Sequence, residues 1–73
     1  MAILEDLADG LAKDALSAET GPDDKIVDEV AKVVGALSTT LEEAYLTAIR
    51  VRRAEARGRR FLEAHIAKAA SGD

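Results

Sequence analysis

Apolar residues recur at every third or fourth position along most of this 73-residue chain, the period that places them on one face of an α-helix. Over 3–19, Leu4, Leu7, Leu11 and Ala15 form one stripe with Ala8 beside it, while Glu5, Asp6, Asp9, Lys13 and Asp14 take the opposite side. Gly10 falls inside this helix and weakens it by about 1 kcal/mol relative to Ala, so a break after Asp9 stays open. The run Thr20, Gly21, Pro22, Asp23, Asp24 ends the first helix: Gly permits the stop, Pro cannot continue it, and an aspartate can cap the next helix. A second helix is expected over 24–37, with Ile26, Val30, Val33 and Leu37 as its stripe and Val27 and Val34 flanking. Its β-branched residues favour a strand, but their spacing is not the alternation a strand needs.

Ser38, Thr39 and Thr40 interrupt the pattern and start a third helix. Thr39 with Glu42, or Thr40 with Glu43, has the spacing of a capping box, hydroxyl to backbone N–H and carboxylate back to the first. No proline occurs over 41–70, so the third helix should run about 45 Å at 1.5 Å per residue, against about 20 Å for each of the others. The last residues, 70–73, should fray.

Along the third helix a 3.5-residue period selects Leu41, Ala44, Ala48, Val51, Glu55, Gly58, Leu62, His65 and Ala69, a seam four heptads long. Most of these side chains are small, which permits close helix approach. Glu55 has Arg52 three positions before it and Arg59 four after, both within reach on one helix. Such a seam exceeds what two short helices can cover unless they lie end to end. The expected fold is therefore all-α: a single domain of two short helices on one long C-terminal helix, the bundle completed by homo-oligomerisation, a homodimer first of all. The interface residues are expected to be Leu41, Ala44, Ala48, Val51, Gly58, Leu62, His65 and Ile66. Leu4, Leu7, Leu11, Ile26, Val30, Val33 and Leu37 should form the intrachain core.

Composition strengthens that expectation. A chain of this size buries only about 60% of its unfolded surface and needs a support such as disulfides, metal or association. There is no cysteine and one histidine, so association is the support that remains. Apolar residues make up 48% of the chain, yet Tyr45 and Phe61 are its only aromatics, which suits thin helix contacts better than a thick core. The acidic start of the chain is unlike a signal peptide, and no apolar run is long enough to span a membrane, so a cytoplasmic protein is the expectation.

The net charge of −4 conceals an asymmetry. Residues 1–37 hold nine acids against Lys13, Lys25 and Lys32; residues 38–73 hold five acids against seven bases, six of them arginines between Arg50 and Arg60. Opposite charges at the two ends suit pairing within or between chains.

Four arginines, Arg50, Arg53, Arg57 and Arg60, share one stripe, and a nucleic-acid or anionic partner could lie along it. A solvated face, with neighbouring arginines paired to acids of the first two helices, accounts for the same pattern in a protein of net negative charge. Val30, Ala31, Val34, Gly35, Ala36, Leu41 and Ala44 resemble the apolar positions and turn of a helix-turn-helix. That resemblance implies Leu37, Ser38, Thr39 and Glu43 facing DNA, where Glu42 and Glu43 repel phosphate; an ordinary helical corner fits better.

His65 has no metal-ligand partner at suitable spacing, and reads as an interface histidine able to make association sensitive to pH near 6.5. Ser38, Thr39 and Thr40 lack a base at recognisable spacing, and the paired acids diverge around their helices. Neither catalysis nor a cofactor is expected. The role anticipated is that of a scaffold or adaptor, with the chain itself as first partner and another protein as second; a nucleic-acid-associated regulator is the alternative.

Overall fold

The computed structural model describes residues 2–72 and contains three helices: α1 (Ile3–Ala18), α2 (Ile26–Gly35) and α3 (Thr39–Ala70). Each packs against the other two, and no strand is present among the described residues. α1 is continuous through Gly10. Of the segment expected to fray, Ala70 closes α3, Ser71 and Gly72 form a turn, and Asp73 lies outside the described residues.

The helix ends obey local chemistry. Asp24 ties the α1–α2 connection together: its Oδ2 accepts from the Thr20 backbone N–H at 2.9 Å and the Thr20 hydroxyl at 3.0 Å, and its Oδ1 accepts from the Ile26 N–H at 2.9 Å. These donors, the two backbone N–H groups first, hold the Asp24 carboxyl below its ordinary range. α3 is capped by Ser38, whose hydroxyl accepts from Leu41 N–H at 3.1 Å. The cap thus falls one residue before the expected Thr39, and the third position after it is Leu41, so no reciprocal glutamate completes a capping box. Glu42 instead lies over the end of α2: a Cβ at Gly35 would stand 2.5 Å from its Oε1.

The core is small and centres on one ring. Its buried residues are Ala8, Ala12, Ala15, Val27, Ala31, Tyr45 and Ile49. Tyr45 is its only large, completely enclosed side chain, and its hydroxyl donates to the Val27 carbonyl at 2.8 Å. Burial, with Asp28 nearby, pushes the Tyr45 phenol above its ordinary value. The alanines of α1 let backbones close on that ring.

The apolar stripes of the sequence are therefore rotated relative to the buried faces. Leu4, Leu11, Ile26 and Val30 are half-buried at the flanks, whereas Leu7 and Val33, expected in the core, are exposed. Leu37, expected in the core from the second helix, lies in the turn beyond Gly35, where α2 ends, and is 89% exposed. Leucine marks an apolar side by its size, but the line of closest approach is set by the smallest residues, here Ala8, Ala12 and Ala31.

The dimensions are those of an incomplete bundle. The Cα radius of gyration is 15.7 Å, against roughly 11 Å for a compact domain of this length. The accessible surface is 5616 Å², against roughly 4,300 Å² for a globular chain of this mass. The extents of 54 × 33 × 14 Å have one cause: α3 outruns its neighbours.

Candidate interaction surface

α3 has two halves in different surroundings. From Leu41 to Ala56 it carries the fold: Tyr45 and Ile49 are buried, and Leu41, Ala44, Leu46, Ala48, Arg52 and Ala56 are half-buried. From Arg57 onward every described residue is exposed. That overhang is about 21 Å of helix with no tertiary packing. It continues an anchored helix, so it bears no new nucleation cost, and Ala64, Ala67, Ala69 and Ala70 favour it by propensity. It nevertheless presents Phe61 at 79%, Leu62 at 50% and Ile66 at 55% exposure.

The eight expected interface residues lie in two neighbourhoods. Leu41, Ala44 and Ala48 are partly covered by the chain's own core, whereas Val51 is 61% exposed and Gly58, Leu62, His65 and Ile66 are open. Beside the first group, α1 builds the wall of an open groove. Leu4, Glu5 and Asp9 stand on one side and Thr40, Glu43, Ala44, Thr47, Ala48 and Val51 on the other. Sequence periodicity could not find Leu4 or Glu5 there, because they belong to another helix. Phe61 was also missed; its signal was composition, one of only two aromatics in the chain.

Ion pairs fasten α1, and the residue that follows it, to α3, one of them at the edge of this groove. Arg52 grips Asp9 through two hydrogen bonds, Nε to Oδ1 at 2.6 Å and the second guanidinium nitrogen to Oδ2 at 2.8 Å. The pairing pulls the Asp9 carboxyl below its ordinary range and pushes the Arg52 guanidinium up. Arg53 meets Glu19 at 2.9 Å. Of the two candidates for Glu55, Arg59 makes the pair, at 2.7 Å.

The arginine stripe is divided by these contacts. Arg53 is held by Glu19, whereas Arg50, Arg57 and Arg60 have no ion-pair partner among the described residues. All four line a shallow depression floored by Ala54 and Ala56. His65 stands exposed on the overhang, and no group of three or more His, Cys, Asp or Glu able to hold a metal occurs among the described residues. Among the described residues no helix is long and apolar enough to cross a membrane. Scans against protein-family models, curated proteins and solved structures found no significant match.

Proposed function

We propose that this is a small, non-catalytic helical protein that acts by protein–protein association, as a scaffold or adaptor that first binds itself through the seam of α3. The overhang carries this reading: it sets Phe61, Leu62 and Ile66 in water with nothing of its own chain against them. The excess surface, roughly 1,300 Å² over a compact chain, exceeds the roughly 800 Å² each partner commits to a standard interface. Isolated exposed apolar residues need no explanation, but three large ones together on an unpacked helix mark a contact surface. The hydroxyl of Ser38, a nucleophile candidate, caps α3.

Light scattering tests the reading. The native chain should have a mass at least twice 7.7 kDa, and replacing Val51 and Leu62 with aspartate should reduce it to one chain while helicity at 3–56 is retained. A double variant that keeps its native assembly mass would refute the seam.

Three unpaired arginines favour a second reading, a nucleic-acid-associated regulator using Arg50, Arg53, Arg57 and Arg60. It requires binding to DNA or RNA that weakens steeply with salt and is lost when the four become glutamine. No binding to either at low salt eliminates it.

A further inference from the structure

The groove and the overhang occupy opposite halves of α3. The first half is flanked by α1 and lined by Ala44, Ala48 and Val51; the second is a bare rod carrying Leu62 and Ile66. The rod, 57–70, is about 21 Å long, and the groove floor from Thr40 to Val51 is about 17 Å. Building on the self-association proposed above, we infer that two copies pair with their α3 helices antiparallel, each overhang lying in the other's groove as the fourth helix of its bundle.

Register and charge select this orientation. Antiparallel pairing about a two-fold axis between Glu55 and Gly58 maps the seam onto itself. Val51 then opposes Leu62 of the second copy, Ala48 opposes His65, and Ala44 opposes Ala69. Glu55 faces Gly58, whose missing side chain leaves room for it and for Arg59. Parallel pairing would instead set Glu55 against Glu55 and His65 against His65.

The groove end is acidic, with Glu5 and Glu43 on its walls, while the overhang has Arg57, Arg59, Arg60 and Lys68 against Glu63 alone. Antiparallel packing brings Lys68 to the acidic groove end, opposite Thr47 and one turn from Glu43, while Arg57, Arg59 and Arg60 lie beside the two-fold axis. Parallel packing stacks like on like, at a cost. Helix dipoles also oppose only in the antiparallel pair.

Cysteine cross-linking decides it, because the native chain has none. Ala44→Cys and Ala69→Cys are prepared separately, checked for native solution mass, then oxidised mildly alone and mixed. The expected result is covalent dimer in the mixture and almost none from either variant alone. Cross-linking of either variant by itself, or native-mass dimers that never cross-link, would overturn the antiparallel arrangement while leaving association intact. A native mass of one chain would overturn both.

Discussion

The two halves of α3 show what anchors a helix in so small a protein. Around Tyr45 a helix of ordinary composition is fixed by one enclosed ring, a hydrogen bond to Val27 and two inter-helix ion pairs. Beyond Ala56 the same helix continues with as many alanines and no buried residue. The first half owes its position to tertiary contact, the second to propensity and continuity. A residue's apolar character therefore says little of its role here: Ile49 is core and Ile66, seventeen positions later on the same helix, is surface.

The largest effect should come from removing the anchor. Tyr45→Ala is expected to cost about 3–5 kcal/mol, against roughly 4–11 kcal/mol of total stability for a chain this long. Circular dichroism should then show a large fall in the unfolding midpoint, and the overhang should melt with the cluster because it loses its nucleus. Helix content persisting at 57–70 after the cluster melts would break the comparison. Tyr45→Phe keeps the ring and should cost only about 1 kcal/mol.

The same tyrosine sets an alkaline limit. Its folded pKa lies above its ordinary 10.0, so its contribution is whole below that value. As pH rises beyond it the unfolded chain releases the proton first and stability falls. The native midpoint should therefore drop above pH 10, and Tyr45→Phe should flatten that drop; an unchanged slope would place its cause elsewhere.

At the acid end the sign reverses. Asp9 and Asp24 have folded pKa values below the ordinary 3.8, so their contribution is complete above that value and is lost as pH falls through the folded ones. Midpoints measured from pH 5 to 2 should decline, less steeply in Asp24→Asn. Both groups tie α1 and its connection into the packed part of the fold, Asp9 to Arg52 and Asp24 to Thr20 and Ile26, so the loss should appear in the cooperative unfolding of the whole chain.

The smallest effects separate packed from unpacked glycine. Neither Gly10 nor Gly58 has an atom within 4 Å of an added Cβ in one chain, so alanine at either should raise stability by about 0.5–1 kcal/mol on propensity. Gly10→Ala should do so at every concentration. Gly58→Ala should stabilise the dilute chain but weaken association, since Gly58 sits at the proposed crossing; equal gains for both would place the crossing elsewhere.

Much of the architecture was legible from local signals. The 3.6-residue period, the punctuation at 20–24 and the proline-free stretch after Ser38 specify three helices, the last far longer than the others, because each rests on neighbours in sequence. Charge asymmetry allowed pairing of α3 arginines with acids of the first half, within a chain or between two, but not the specific partners, Arg52 with Asp9 on α1 and Arg53 with Glu19 just after it.

Only the tertiary structure decided which faces meet. Helical periodicity identifies an apolar side but not the few tens of degrees by which it turns toward a neighbour. That rotation was chosen by Tyr45, a ring that needs alanines opposite it, so Ala8, Ala12 and Ala15 went inside and Leu7 and Val33 stayed out. Leu37 is exposed because α2 stops at Gly35 and leaves it in the turn. The groove of Leu4 and Glu5 beside Ala44 and Val51 likewise joins residues some forty positions apart. Such a surface arises from the crossing of two helices, which local spacing along either one does not encode.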